Sequence, residues 1–259
     1  MIDIHSHILP SLDDGASSMA ETLEMCRLAA TDGIHTMVAT PHTHDGLHLN
    51  SMDQVRQLCN TVNDLLDLNE IHTTILPGME VRVTADSFIA LSKDTLPTLN
   101  DAKYILFEFP PSQIPDAFEV LVQKAVERGH GVILAHPEKN LAIANNPGYL
   151  FRLITMFHPW DFIIQITAGC LAGKCDKRSA KTAHILLENN IAHIMATDAH
   201  DTTKRRPVLS DALDVASRII GDARAQQMVN DLPEAVLGRK PFPEYVSPQK
   251  PRHWWRIWG

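Results

Sequence analysis

Short apolar runs alternate with stretches of helical periodicity along most of the chain. Seven runs are candidate strands: residues 1–4, 35–40, 73–78, 104–107, 131–135, 162–166 and 192–196. Most are rich in Val, Ile and Leu and only 4–6 residues long, as expected of strands buried on both faces of a parallel sheet. Between them lie amphipathic stretches. Residues 17–32 open on a Ser17 cap, carry Leu23, Met25, Cys26, Leu28, Ala29 and Ala30, and stop at Gly33. Residues 52–69, 116–128, 177–189, 210–220 and 222–230 repeat the pattern, with Gly129 and Gly221 ending two of them. Strand and helix alternating in this way predict an α/β fold with a parallel sheet, and seven units favour a barrel over an open doubly wound sheet. No linker or low-complexity stretch divides residues 1–240, which are expected to form one domain. From Pro241 onward the chain is Pro-rich and is expected to run over the surface as a tail, 241–259, without regular structure.

Just past the end of each candidate strand stand polar residues of particular types. His5 and His7 come after the first, His42 after the second, Glu80 after the third and Glu108 after the fourth. His136 comes after the fifth, Thr167-Ala168-Gly169 after the sixth, and Asp198 with His200 after the seventh. In a parallel barrel the C-terminal ends of all strands open on one face, which carries the active site. These residues, nearly 200 positions apart, are therefore expected to converge. His5-x-His7 places two imidazoles on one side of an extended segment, because side chains alternate with period two. Asp198-x-His200 does the same with mixed ligands. Imidazole and carboxylate without thiolate suits Mn²⁺, Fe²⁺ or Zn²⁺ in a reactive site and argues against a structural zinc. Eight such side chains are too many for one ion, and a carboxylate can bridge two.

Composition narrows the function further. Lys and Arg number 23 against 31 Asp and Glu, a net charge of −8, which argues against a general nucleic-acid binder. The four cysteines, Cys26, Cys59, Cys170 and Cys175, show no C-x-x-C spacing and are expected to be reduced thiols. No apolar run reaches the roughly 18 residues of a membrane helix, and the N-terminal residues lack the pattern of a signal peptide, so a soluble cytoplasmic protein is expected. A thiol phosphatase loop needs Arg six residues after Cys; those positions hold Asp32, Leu65, Asp176 and Lys181. The G-x-S-x-G elbow and the P-loop motif are also absent.

The ordered set of motifs resembles the PHP (polymerase and histidinol phosphatase) superfamily. It is more closely similar to the bacterial metal-dependent protein-tyrosine phosphatases of capsule and exopolysaccharide operons. The resemblance rests on Asp3-Ile4-His5-Ser6-His7-Ile8-Leu9-Pro10 with Asp13-Asp14-Gly15, Thr40-Pro41-His42, Gly78-Met79-Glu80, Glu108-Phe109-Pro110, His136-Pro137-Glu138, Gln165-Ile166-Thr167-Ala168-Gly169, and Thr197-Asp198-Ala199-His200 with Arg205. It implies a distorted, TIM-like (β/α)7 barrel with a metal cluster at the strand C-termini. It implies two to three divalent ions, manganese foremost, with iron or zinc as alternatives. The first ion would take His5, His7, Glu80 and Asp198; the second Glu80, Glu108 and His136; the third Asp14, His42 and His200, with Asp13 as the fallback for Asp14. Arg205, with Arg206 beside it, would bind phosphate. Lys139 stands where the family usually has Arg, and lacks the two-pronged grip of a guanidinium.

The reaction implied is in-line attack on phosphorus by a hydroxide bridging two ions, with Arg205 and Lys139 on the non-bridging oxygens. The implied substrate is the Tyr-rich tail of a membrane-bound bacterial tyrosine autokinase that controls polysaccharide export. Two alternatives stay open: a small-molecule phosphatase such as histidinol phosphatase, and a non-catalytic metal-binding regulatory barrel. His35, His72, His130 and His193 fall at the opposite ends of the strands, where stability or surface roles are expected. His44 and His48 lie in the loop after the second strand, and Glu138 beside His136. The segment Arg252-His253-Trp254-Trp255-Arg256-Ile257-Trp258 either folds back on the barrel or contacts a membrane surface or partner.

Overall fold

A computed structural model describes residues 1–48 and 50–250. In chain order the elements are β1 (Ile2–Ser6), α1 (Met19–Thr31), β2 (Thr36–Ala39), β3 (His42–Thr43), α2 (Met52–Leu68), β4 (Thr74–Pro77), β5 (Glu80–Arg82), α3 (Ala85–Ser92), β6 (Tyr104–Glu108), α4 (Phe118–Glu127) and β7 (Gly131–Ala135). They continue with α5 (Leu141–Asn145), α6 (Gly148–Met156), β8 (Phe162–Thr167), α7 (Ala168–Leu171), α8 (Lys177–Glu188), β9 (Ile194–Ala196), α9 (Ser210–Ile220), α10 (Asp222–Val229) and α11 (Asp231–Val236). Each of the seven expected runs contains a strand.

All the strand pairs are parallel, but a closed seven-stranded barrel is not what the described residues form. There are nine strands in two sheets, ordered β1-β2-β4 and β3-β5-β6-β7-β8-β9. The second and third expected strands each break in two, at Pro41 and at Gly78-Met79. Proline has no N–H for the ladder, and glycine weakens a strand interior. The sheets meet at the far edge through an isolated parallel bridge between Ser6 and Ala199. There Asp198 N donates to His5 O at 2.9 Å and His7 N to Ala199 O at 2.8 Å.

The period of two separates two cores. Ile2, Ile4, Val38, Leu106, Ile133, Ile163 and Ile194 pack together inside the ring of strands. Met37, Ile105, Phe107, Val132, Leu134, Ile164 and Met195 face the helices. Leu232, Val236 and Leu237 join the inner cluster. Two residues beyond the inner apolar positions Leu106 and Ile163 come Glu108 and Gln165, so the wall that is greasy below turns polar above.

Capping side chains set several helix starts. Ser18 accepts from Glu21 N, one residue later than the expected Ser17 cap, and Ser51 accepts from Gln54 N. Asp176 accepts from Arg178 N and Ser179 N, and Asn140 from Ile143 N. Helices α3, α5, α6, α7 and α11 were not expected; α5, α7 and α11 are one to two turns long, too short for a periodic apolar face. No helix of the described residues is long and apolar enough to cross a membrane.

The expectation of four reduced thiols is corrected for one pair: Cys170 and Cys175 form a disulfide, with Cα atoms 4.7 Å apart. The turn after α7 brings them together. Gly173 takes φ +74° and lets the chain reverse within five residues. Cys26 and Cys59 are free and buried.

Residues 241–250 contain no helix or strand. They pack under the ring of strands, with Phe242 stacked on Trp160 at 5.0 Å and Tyr245 against both Trp160 and His193. The expectations for Arg252 to Trp258 lie outside the described residues. His193 is buried there and accepts a hydrogen bond from Ile164 N at 3.0 Å on Nδ1. Burial, reinforced by the Arg224 cation, pushes its pKa from 6.5 down to about 3. The unfolded chain therefore binds a proton that the folded chain refuses, and stability falls as pH drops from 6.5 toward 3. For this group alone the loss between pH 7 and pH 5 is about 2 kcal/mol. His193→Asn, which keeps an acceptor but does not titrate, is expected to flatten the fall of Tm between pH 7 and pH 5. A wild-type slope in that variant would remove His193 as the cause.

Candidate metal centre

Each candidate ligand is set by the end of a strand or the turn after it. In β1 the register against β2 shifts between Asp3 and Ser6, and both His5 and His7 reach the site from this segment. In the β3–β5 ladder His42 pairs with Glu80, and in the β5–β6 ladder Arg82 pairs with Glu108. His136 and Asp198 have φ of +30° and +53°. The left-handed region costs a non-glycine residue energy, and at these two positions it sets the direction of a ligand side chain. The Asp13-Asp14-Gly15 turn folds against His7: a Cβ on Gly15 would sit 2.0 Å from the His7 carbonyl oxygen.

All nine expected ligands come together. Asp14, His7, His42 and His200 form one group able to hold an ion; His5, His7 and Glu80 a second; His5, His136 and Asp198 a third; His42, Glu80 and Glu108 a fourth. The division differs from the one the resemblance implied. His7 also joins the Asp14 group, and His136 groups with His5 and Asp198 while contacting Glu80. Glu80 is central and fully buried. Its Oε1 lies 2.8 Å from His136 Nε2, and its Oε2 lies 3.1 Å from His42 Nδ1, 3.4 Å from His5 Nε2 and 3.5 Å from His7 Nε2. Asp14 Oδ1 lies 3.3 Å from His200 Nε2 and 3.5 Å from His42 Nε2.

Asp13 does not substitute for Asp14. Its Oδ2 lies 2.6 Å from His7 Nδ1 and accepts from His42 N at 3.0 Å. Gln165 Oε1 accepts from His5 Nδ1 at 2.9 Å, and the Asp198 carbonyl accepts from His200 Nδ1 at 3.0 Å. These partners take the Nδ1 protons and turn three Nε2 atoms toward the shared space. Sequence reasoning missed the part of Gln165 and that of Arg82, whose Nε donates to Glu108 Oε1 at 2.7 Å. The signal for Arg82 was its place two residues after Glu80 on the same strand. Asp3 lies just below the ligands, where it accepts from the backbone N–H groups of His5 and Thr197 and from the Thr197 hydroxyl. Burial raises its pKa to about 6.

The donor set fits divalent ions. His5 Nε2 and His7 Nε2 face each other at 3.3 Å, and with both Nδ1 protons engaged each Nε2 offers its lone pair to a shared ion once its own proton is released. His42 Nδ1 and Glu80 Oε2 are buried and lie 3.1 Å apart, yet neither makes a hydrogen bond of good geometry. A buried polar atom without a partner is costly, and a cation answers both atoms at once. Charge balance points the same way. Burial opposes ionisation of Glu80 and Asp198, yet His5 and His136 for the first, and Lys139 and His5 for the second, hold both well below the usual carboxylate range. Burial likewise opposes protonation of His7, but its bond to Asp13 and the nearby Glu80 carboxylate raise its pKa to about 9. Protons thus occupy positions that a dication would take over, releasing them on binding.

Lys139 Nζ and Arg205 Nη2 both reach Asp198 Oδ2, the latter at 2.8 Å, and Arg205 Nη1 lies 4.0 Å from Asp14 Oδ2. The two cations stand at the open side of the cluster. Glu138 makes no ion pair among the described residues; it is buried and accepts from Thr167 N at 2.8 Å. His48 pairs with Asp45 at 2.7 Å and stacks on His42, while His44 lies outside the ligand groups. His35, His72, His130 and His193 are also outside these groups, and His130 pairs with Asp94.

Comparison with known proteins adds a family. Residues 1–238 match the family described as "Capsular polysaccharide synthesis, CpsB/CapC". The chain is 35% identical over 252 residues to "Tyrosine-protein phosphatase YwqE" of Bacillus subtilis, covering 97% of this chain and 98% of that protein. It is 27% identical to "Tyrosine-protein phosphatase CpsB" of Streptococcus pneumoniae, covering 92% and 98%. A crystal structure from a study of YwqE from Bacillus subtilis and CpsB from Streptococcus pneumoniae, described as "unique metal-dependent tyrosine phosphatases", superposes with a TM-score of 0.90 at 35% identity. It covers 98% of this chain and 100% of that one.

Proposed function

We propose that this chain, which belongs to the CpsB/CapC family of capsular polysaccharide synthesis, is a metal-dependent protein-tyrosine phosphatase. The observation that carries the reading is the cluster around Glu80, where nine imidazole and carboxylate side chains meet beside Arg205 and Lys139. The supporting fold is best described as a distorted (β/α)7 barrel whose second and third strands are broken, with residues 1–240 as its domain and 241–259 as a tail.

His5, His7, Asp14, His42, Glu80, Glu108, His136, Asp198 and His200 would hold two or three ions, manganese foremost. When bound, such ions lower the pKa of a water toward neutrality and draw charge from phosphoryl oxygens. The chain's own residues do the rest. Gln165, Asp13 and the Asp198 carbonyl keep three imidazoles in the tautomer that leaves Nε2 free. Arg205 and Lys139 turn from Asp198 to the non-bridging oxygens of the phosphate, where negative charge sits during transfer. The buried floor of Leu106, Ile133 and Ile163 closes the site below. Tyrosine, with a pKa of about 10, leaves as phenolate more easily than an alkoxide does, which lessens the need for a general acid. The substrate class is a phosphotyrosyl protein of polysaccharide synthesis, with the tail of a membrane-bound tyrosine autokinase as the expected partner. The expected site of action is the cytoplasm.

The test compares a phosphotyrosine peptide with histidinol phosphate, before and after chelation. A kcat/KM at least tenfold higher on the peptide, lost on chelation and restored by Mn²⁺, is expected. Faster turnover of histidinol phosphate would replace the reading with a small-molecule phosphatase, and full activity after chelation would end it.

A further inference from the structure

We infer that the cavity beside the metal centre is a second anion subsite, which recognises a carboxylate or phosphate flanking the phosphotyrosine of the substrate peptide. This rests on the phosphatase reading and adds to it a preference for anionic sequence around the target residue. The cavity has a volume of about 200 Å³ and runs outward from Lys139, Asp198 and Arg205. Its wall also carries Lys174, Lys204 and Arg206, so five cationic side chains line it in a chain whose net charge is −8.

One phosphoryl group beside the ions uses two of these cations, Arg205 and Lys139. The other three are left over. Lys174 is partnered by Asp211 at 2.5 Å at the cavity rim. Lys204 and Arg206 have no acidic partner among the described residues. Unpaired like charges along one wall repel each other, and an anionic ligand relieves that repulsion.

Both loops that present the cations are held in place. Asp201 Oδ1 accepts from Thr203 N and Lys204 N at 2.6 Å each, and His200 N donates to Arg205 O at 2.9 Å. This ties the basic run Lys204-Arg205-Arg206 directly to a candidate ligand. On the other side Lys174 lies between the bonded Cys170 and Cys175, and its N–H donates to Gly169 O at 2.7 Å. The backbone that presents these exposed side chains is thus fixed, so only side-chain freedom is lost when an anion binds. The planar Arg206 guanidinium suits a carboxylate or a phosphate equally.

The experiment uses the full chain loaded with Mn²⁺. Its substrates are three peptides that share one phosphotyrosine, with neutral flanks, with flanking Glu, and with a second phosphotyrosine nearby; an aryl phosphate serves as control. The wild type is expected to show a KM about tenfold lower for an anionic flank, and this advantage is expected to shrink in 0.5 M NaCl. In the Lys174→Ala/Lys204→Ala double variant the tenfold advantage is expected to shrink to about threefold, the part that the remaining Arg206 guanidinium supplies. Turnover of the neutral peptide and of the aryl phosphate should stay unchanged. Preference for Glu alone assigns the occupant as a carboxylate, and preference for the second phosphotyrosine alone as a phosphate. An enzyme that hydrolyses aryl phosphate but treats the peptides alike overturns the subsite and leaves the phosphatase reading standing. So does a tenfold preference that survives undiminished in the double variant. An enzyme that hydrolyses none of the four overturns both.

Discussion

Glu80→Gln is expected to lower kcat on an aryl phosphate by at least about 10³-fold, a barrier increase of about 4 kcal/mol. Glu80 is fully buried, and its two oxygens contact His136 on one side and His5, His7 and His42 on the other. The amide keeps the volume but removes the charge and turns N–H donors toward imidazole nitrogens. The affinity for divalent ions should fall along with the rate. A charge-assisted contact in a buried cluster is worth more than its surface equivalent, so this carboxylate should matter more than the exposed Asp14. Titration with Mn²⁺, followed by rate and by heat of binding, checks both effects. If Glu80 were only a structural ion pair for the imidazoles, the variant would lose melting temperature but keep kcat in the loaded enzyme; a kcat within tenfold of wild type would establish that outcome.

Arg205→Ala is expected to cost about 10²- to 10³-fold in kcat/KM. Its guanidinium rests on Asp198 at 2.8 Å and is 43% exposed, so it can swing to a phosphate without rebuilding the core. Inhibition by inorganic phosphate should weaken in parallel, because the same contact binds product. Arg205→Lys should recover only part of the loss, since an ammonium lacks the paired donors of a guanidinium. Lys139 reaches the same carboxylate oxygen, and Lys139→Ala should cost less, about tenfold, because Lys139 supplies point charge alone. The assignment of Arg205 fails if the rate falls while phosphate inhibition is unchanged.

Much of this was legible in the chain. The seven strands could be found because strands buried on both faces must be short and apolar. The ligands could be found because a parallel arrangement sends every strand end to the same side, so His5, Glu80, His136 and Asp198 had to meet. The breaks at Pro41 and Gly78 were not seen. A Pro or Gly at a strand end reads as an ordinary stop, and only pairing shows that the strand resumes beyond it with a different neighbour. The partition of ligands was equally out of reach. The left-handed turns at His136 and Asp198, and the register that sets His42 against Glu80, decide which atoms lie within ligand distance. The Cys170–Cys175 bond escaped because its spacing matches no familiar motif, and only the reversal at Gly173 brings the sulfurs together.

By itself, then, the sequence determined which residues lie at the mouth of the strands and that they carry metal-type donors, because side-chain period and strand polarity are local properties. Tertiary structure alone decided how those donors divide into groups, which partners hold each imidazole, and that Lys174, Lys204 and Arg206 share one cavity. Distances across a ring of strands depend on register, backbone turns and packing, which no local pattern of residues encodes.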